Sequence, residues 1–116
     1  LREKARRDLS VEEPNELMIE IKMMQELTQK DYRRHAALLA VVANQPELMK
    51  PLHEMHRERF FRRILSMKNP VRSSILFFAT LGLHFNELLN FSLLDAEQRK
   101  NVYEELLRLA ANDEAL

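Results

Sequence analysis

The chain has few of the residues that make crosslinks and turns. Its 116 residues include no cysteine, a single glycine and four prolines. The absence of cysteine excludes disulfides, thiolate metal sites and thiol nucleophiles, and it suits a reducing compartment. Lysine and arginine together number 18, as do aspartate and glutamate. This balance argues against a uniformly basic nucleic-acid binder and against an acidic tail.

Long apolar runs are also missing. No stretch reaches the roughly 18 uninterrupted apolar residues that a membrane span needs. The first ten residues, LREKARRDLS, contain no signal-peptide apolar core. We therefore predict a cytoplasmic protein with no membrane partner. The basic start is typical of the last turns of a helix whose beginning lies outside the chain.

The remaining residues are mostly good helix formers, and runs of β-branched residues are absent. The composition predicts an all-α fold, and the length suits one domain, residues 1–116, with a real core. The prolines divide the sequence into about five helices after the basic start. The predicted helices cover residues 14–28, 31–44, 46–67, 70–91 and 95–112, and the polar end after them is expected to fray.

Single residues mark the predicted helix ends. Asp31 is the expected N-cap of the second helix, and Asn69 followed by Pro70 is expected to begin the fourth. The fifth helix begins at SLLDAEQ, where an aspartate and a glutamine three residues later have the spacing of a capping box. Pro51 falls inside the third helical pattern, where it either kinks the helix or marks its true beginning.

The fourth helix is apolar on nearly every side. Its broad stripe contains Val71, Ile75, Phe78, Leu81, Gly82, Phe85, Leu88 and Leu89. A weaker stripe contains Leu76, Ala79 and Leu83, flanked by Asn86 and Asn90. The only consistently polar side consists of Thr80, His84 and Glu87. Two apolar stripes indicate two apolar neighbours, namely the core of the domain and a second subunit.

The lone glycine, Gly82, lies in the middle of this helix, where it costs about 1 kcal/mol relative to alanine. It would allow a crossing helix to approach closely. The last two helices of two chains would then form a four-helix seam with two-fold symmetry. The alternative is that the fourth helix is the central helix of a monomeric bundle. The candidate dimer residues are Leu76, Ala79, Gly82, Leu83, Asn86, Val102, Leu106 and Leu109.

No motif indicates catalysis or a metal centre. HEMH places His53 and His56 three residues apart, which is not the H-E-x-x-H spacing, and two ligands are too few for a closed site. Ser73 and Ser74 lack the G-x-S-x-G elbow, and no glycine-rich phosphate loop occurs. We predict no enzymatic activity, no cofactor and no bound metal.

The segment RERFFRR, residues 57–63, is a basic cluster with two interpretations. It is an anion contact, made to a nucleic-acid backbone, an acidic ligand or a partner. Alternatively, it is a solvated helix face that flanks two inward-facing rings, Phe60 and Phe61. Glu54 and Glu58 offset part of its charge at helical spacing.

Two long segments resemble a known family. They are AVVANQPELMKPLHEMHRERFFRRIL and ILFFATLGLHFNELLNFSLLDAEQRKNVYEELLRLAA. Their P-E-L-x-x-P-L junction, G-L-x-F-x-E-L-L string and S-x-L-x-x-E-like turn resemble the C-terminal regulatory domain of TetR-family transcriptional regulators. The resemblance implies an all-helical domain that dimerises through its last two helices and holds a small-molecule pocket among its middle helices.

The resemblance also implies an N-terminal helix-turn-helix domain, which is missing from this sequence. This chain alone is therefore not expected to bind operator DNA specifically, because the recognition helices must lie about one DNA turn apart in the dimer. In such proteins an effector shifts the spacing of these helices and the operator is released. The expected partners are a second copy, a small apolar or amphipathic effector, and operator DNA through the missing domain.

Under this resemblance, adaptable methionines, aromatic rings and one polar group line the pocket. The candidate ligand-binding residues are Met24, His35, Leu38, Met55, Phe78 and Phe85. The other open interpretation is a stand-alone helical dimerisation or interaction module that binds neither ligand nor DNA.

Overall fold

The computed structural model describes residues 1–113, which form six α-helices and one short 3-10 turn and contain no strand. The helices are α1 (Arg2–Asp8), α2 (Glu16–Gln25), α3 (Gln29–Asn44), α4 (Met49–Arg63), α5 (Pro70–Leu88) and α6 (Ala96–Asp113). The predicted all-α fold is confirmed. The 3-10 turn, Pro46–Leu48, leads into α4. Fraying was predicted for the tail NDEAL, residues 112–116, but Asn112 and Asp113 belong to α6, and residues 114–116 lie outside the described residues.

Two of the predicted helix starts are confirmed by side-chain caps. The Asn69 side chain accepts a hydrogen bond from the backbone N–H of Arg72 at 3.2 Å, and Pro70 is the first residue of α5. At α6, Asp95 Oδ1 accepts from the backbone N–H of Gln98 at 2.8 Å, and Gln98 Oε1 accepts from the backbone N–H of Asp95 at 3.0 Å. This pair is a capping box, as the spacing predicted.

The predicted N-cap of α3 is wrong by three residues. Thr28 is the N-cap, and its hydroxyl accepts a hydrogen bond from the backbone N–H of Asp31 at 3.3 Å. The Asp31 carboxylate in turn accepts from the backbone N–H of Thr28 at 2.9 Å. Asp31 is therefore the third helical residue of a capping box, because its carboxylate can reach back to the residue that begins the helix.

Among the other helix ends that differ from the prediction, two have a local cause. Pro46 begins the 3-10 turn rather than a helix, and Pro51 lies in the first turn of α4, where a missing N–H breaks no helical hydrogen bond. Pro51 thus lies at the true beginning of this helix and does not kink it. α5 ends at Leu88, three residues before the predicted end, because Asn90 adopts a left-handed φ of 58° and turns the chain.

The core is built mainly from α1, α2, α5 and α6, which we call the frame. Its buried residues are Ala5, Leu9, Leu17, Met18, Ile19, Ile21, Ile64, Met67, Leu76, Tyr103, Leu106 and Ala110. By contrast, α4 has no fully buried residue, and the two buried residues of α3, Tyr32 and Val42, lie outside this core cluster. None of the helices described in residues 1–113 has the length and apolar content that crossing a membrane requires.

The orientation of α5 is the reverse of that of an ordinary surface helix. Its buried residues are Ser73, Leu76, Thr80 and His84, three of which are polar. The opposite side is a stripe at three- and four-residue spacing, and its large side chains are between 44% and 72% exposed. We call this set the outward stripe: Val71, Ile75, Phe78, Gly82, Phe85 and Leu89. The polar side that the sequence singled out therefore faces inward.

Candidate ligand-binding cavity

A cavity of about 800 Å³ lies between α2, α3, α4 and α5. This volume falls within the range of about 300–1,000 Å³ that is typical of small-molecule sites. Most of its lining is apolar. The apolar lining residues include Met23, Met24, Leu27, Leu38, Leu39, Phe60, Ile64, Phe77, Phe78, Leu81, Phe85 and Leu88.

The structure brings together five of the six residues proposed from the sequence for a pocket. These five are Met24, His35, Leu38, Phe78 and Phe85. The exception is Met55, which is 47% exposed and is not part of the cavity lining. The lining residues of α4 occupy an arc of the helix bounded by Arg57 and Arg59, and Met55 lies about 40° beyond Arg59. Its exposed side chain therefore lies beside the cavity lining rather than in it.

All four histidines of the chain line this cavity. The rings of His35 and His84 meet edge to face with their centroids 5.3 Å apart, across the boundary between α3 and α5. The Tyr32 ring stacks on His84 with a centroid distance of 5.6 Å. Nδ1 of His84 has no hydrogen-bond partner among residues 1–113. Burial lowers the pKa of His84, His35 lowers it further, and Glu87 partly opposes this shift.

A polar cluster beside His84 joins four helices. The Glu87 carboxylate on α5 accepts a hydrogen bond from the Tyr32 hydroxyl on α3 and another, at 2.5 Å, from Nε of Arg99 on α6. Arg99 also donates to the backbone carbonyl of Gln25 at 3.1 Å, at the end of α2. Its guanidinium lies 4.7 Å from the centroid of the buried Tyr103 ring. Burial and the bond to Glu87 raise the pKa of Tyr32 to about 12.

The basic cluster contributes three cations to the cavity lining: Arg57, Arg59 and Arg63. Glu20 on α2 is the only carboxylate among the described lining residues. It accepts hydrogen bonds from Arg63 at 2.7 Å and from Arg2 at 3.1 Å, and a nitrogen of Arg59 lies 3.9 Å away. This buried ion-pair group connects α1, α2 and α4.

Sequence reasoning missed Glu20. The available signal was a single acid in the apolar run LMIEI, which predicts a buried carboxylate that needs cationic partners. His53 and His56 were considered as metal ligands from their spacing in the sequence. Within the residues that the structure describes, no three histidine, aspartate or glutamate side chains form a group that could hold a metal ion.

The eight candidate dimer residues fall into three groups. Those that are exposed are Ala79, Gly82, Asn86 and Val102. Leu83 and Leu109 are partly buried against the core. Leu76 and Leu106 are buried inside the core, with exposures of 6% and 7%, because they share the inward sides of α5 and α6. These last two side chains therefore pack inside their own chain, where a second chain cannot contact them.

Gly82 has no role inside the chain. A Cβ added there would meet no atom within 4 Å, and the residue does not adopt a positive φ. It lies at the middle of the outward stripe, between Phe78 and Phe85. These two rings also line the cavity, so the outward stripe and the cavity share a border.

These features define an all-helical domain with a cavity of small-molecule size among its middle helices. Comparison with protein families then identifies it. Residues 18–111 match the family described as Tetracyclin repressor-like, C-terminal domain. Because the match covers most of the chain, the chain belongs to this family, and the resemblance seen in the sequence is confirmed. No match was found among curated proteins or among solved structures.

Proposed function

We propose that this chain is the effector-binding and homodimerisation domain of a TetR-like transcriptional regulator. The observation that carries the proposal is the cavity of about 800 Å³, with its apolar walls and few polar groups. Family membership supports the regulatory role. Operator recognition is then the task of a helix-turn-helix domain outside residues 1–116. The regulator acts in the cytoplasm and has no catalytic step.

The ion-pair group around Glu20 suggests how occupancy of the cavity acts on the rest of the regulator. Arg63 belongs to the cavity wall on α4, and Arg2 belongs to α1. A ligand that moves α4 changes the position of Arg63 relative to Glu20, and Arg2 shares the same carboxylate oxygen. A ligand shifts such an equilibrium only as far as it prefers one arrangement over the other.

The outward stripe supports the dimer. Its large apolar side chains, from Val71 to Leu89, are exposed along the whole length of α5. Contiguous apolar surface of this kind marks an interaction site in soluble proteins. The stripe would equally serve a stand-alone interaction module, which is the second candidate function. The two candidates differ in whether the cavity binds a molecule.

Binding in the cavity is tested with a cavity-filling variant. Leu38→Trp places a large ring at the cavity from α3, whereas Val41→Trp adds the same ring at an exposed position outside the lining. A library of apolar and amphipathic compounds is screened by thermal unfolding. A ligand at 100 times its Kd stabilises the folded state by about 2.7 kcal/mol. We expect related compounds to raise the Tm of the parent and of Val41→Trp, but not of Leu38→Trp.

Two results contradict this proposal. One is a library without a single compound that stabilises the parent chain. The other is stabilisation of the same size in Leu38→Trp, which would locate binding outside the cavity. A chain that dimerises but gives the first result is an interaction module.

A further inference from the structure

The charged residues of α4 are sorted between two sides of the helix. Those that line the cavity are histidines and arginines: His53, His56, Arg57, Arg59 and Arg63. Both acids of α4, Glu54 and Glu58, are absent from the lining. Glu58 instead accepts a hydrogen bond from Arg62 on the outer side. One wall of the cavity is therefore cationic although the whole chain is neutral.

The cavity as a whole has an excess of positive charge. Three arginines face one glutamate in its lining, even with every histidine neutral. Glu20 does not offer free negative charge to a ligand, because Arg63 and Arg2 already bind it. Positive charge in a cleft with apolar walls focuses the field on the space inside and raises the local concentration of anions.

Arg57 differs from the other two lining arginines in having no carboxylate partner. No carboxylate among the described residues forms an ion pair with it, and its guanidinium lies 5.1 Å from the centroid of the Phe61 ring, which is 48% exposed and outside the lining. Its charge is therefore available to an anion. His53 lies one helical turn away on the same side of α4, and His56 precedes Arg57 directly. A guanidinium presents paired N–H donors that match a carboxylate in two parallel hydrogen bonds.

The other walls are apolar. α5 contributes Phe77, Phe78, Leu81 and Phe85, and α2 and α3 add methionine and leucine side chains. The cavity thus combines one cationic wall with three walls that favour hydrocarbon. A neutral apolar molecule would make no charge-assisted hydrogen bond with the cationic wall, and a cation would be repelled by it.

We propose that the effector is an amphiphilic acid, with its anionic head group on His53, His56 and Arg57 and its apolar body against α2, α3 and α5. The inference rests on the proposed function, because it takes the cavity to be the effector site. The proposal agrees with one interpretation of the basic cluster, in which the cluster contacts an acidic ligand. It places that contact on the inward side of α4.

The charge preference is tested with three probes that share one hydrocarbon chain: decanoate, 1-decanol and decylammonium. Binding to the 116-residue chain is measured by isothermal titration calorimetry below the concentrations at which the probes self-associate. Decanoate is expected to bind at least about tenfold more tightly than 1-decanol, since charge-assisted hydrogen bonds exceed neutral ones. Decylammonium is expected to bind most weakly. The preference for decanoate should narrow as salt rises.

The head-group position is tested with a matched pair of variants on α4. Arg57→Gln removes one of the arginines that line the cavity, and Arg62→Gln removes an arginine on the outer side. Arg57→Gln should weaken decanoate about tenfold and leave 1-decanol within about twofold. Arg62→Gln should change neither, and Arg57→Lys should restore part of the decanoate affinity. Circular dichroism verifies that each variant is folded.

The outcomes separate this inference from the proposed function. If 1-decanol binds as tightly as decanoate and Leu38→Trp abolishes both, the cavity is a ligand site and the preference for an acid is wrong. Tighter binding of decylammonium than of decanoate overturns the inference in the same way. If none of the three probes binds, the inference is also overturned, and the compound library then decides the proposed function.

Discussion

His84 is a titratable side chain placed where water cannot reach most of it. It is 6% exposed, and its ring lies between Tyr32 and His35 of α3. Glu87, one turn along α5, is the nearest compensating carboxylate, but it is already bound to Tyr32 and Arg99. The neutral imidazole is therefore favoured in the folded chain, and the pKa of His84 falls below its ordinary value of 6.5.

This shift predicts a pH dependence of stability. Because the pKa of His84 is lower in the folded state, the unfolded chain binds more protons below about pH 6.5. The free energy of unfolding should therefore fall as the pH drops from 7.5 to 5.5. His84→Asn should flatten this slope relative to that of the parent chain. Urea unfolding at a series of pH values measures both slopes. Equal slopes in the parent and in His84→Asn would contradict the assignment.

At the scale of single helices, the Asn15 side chain forms hydrogen bonds at the N-terminal end of α2 and near the C-terminal end of α6. Its Oδ1 accepts a hydrogen bond from the backbone N–H of Met18 at 2.8 Å and so caps α2. Its Nδ2 donates to the backbone carbonyl of Ala110 at 2.9 Å, in the last turn of α6. The neighbouring carbonyl of Leu109 accepts from the Arg72 guanidinium at 3.2 Å. Side chains of α5 and of the α2 cap thus satisfy carbonyls near the C-terminal end of α6.

Substitutions of Asn15 should separate its two roles. Asn15→Ala removes both hydrogen bonds and should lower the free energy of unfolding by about 2 kcal/mol, about half from the cap. Asn15→Asp keeps the acceptor for Met18 but has no donor for Ala110, so the loss should be about 1 kcal/mol. Asn69→Ala, which removes the cap of α5 alone, is the control for a cap without a second bond. Urea unfolding with constant m-values measures all three. An Asn15→Asp variant as stable as the parent would show that the Ala110 bond contributes nothing.

The start of a helix could be predicted where its capping side chain and the group it binds are close together in the sequence. Asn69 with Pro70, and Asp95 with Gln98, begin helices because their partners lie within three residues. The start of α3 was misassigned since the capping box uses both Thr28 and Asp31, and the sequence does not state which of the two begins the helix. α5 ends earlier than predicted because Asn90 adopts a left-handed backbone conformation. Asparagine tolerates this conformation, but nothing in the neighbouring sequence requires it.

The direction in which each helix faces was not predictable from periodicity. α5 turns Thr80 and His84 inward because the groups that cover this side come from α3 and α6, distant in sequence. Five of the six pocket candidates reach the cavity because they are large, adaptable side chains on the middle helices. Glu20 was not predicted as a residue of the site because its partners, Arg2 and Arg63, lie far from it along the chain.

At the scale of the whole molecule, burial is unevenly distributed. The frame contains most of the buried apolar side chains, whereas α4 has none that is fully buried. Two walls of the cavity, α3 and α4, are thus held less firmly than its other walls. Regions with few buried apolar contacts open locally at a lower free energy than the core does. We therefore expect local opening of α3 and α4 to cost less free energy than opening of the frame.

Gly82 gives a test of the dimer. An added methyl group meets no atom of its own chain, so Gly82→Ala should stabilise the isolated chain by up to about 1 kcal/mol through helix propensity. Gly82→Arg should instead break the dimer, because it places a long cation in the middle of the outward stripe. Sedimentation equilibrium at tens of micromolar measures the association. Ala43→Arg, at an exposed position on α3, is the control and should remain dimeric.

Two results would contradict the proposed dimer. A parent chain that sediments as a monomer at this concentration would leave the outward stripe without a second copy. A dimer that survives Gly82→Arg would place the contact on another surface, and α6 with its exposed Val102 would be the next to vary.

The rings of Phe78 and Phe85 belong to the cavity lining and to the outward stripe at once. In the proposed dimer, a second chain packed on the outward stripe would also cover the rim of the cavity, and a molecule in the cavity would change the surface that the second chain meets. By thermodynamic reciprocity, the factor by which the molecule alters the pairing of two chains equals the factor by which pairing alters its affinity. Effector affinity would then depend on the concentration of the protein itself.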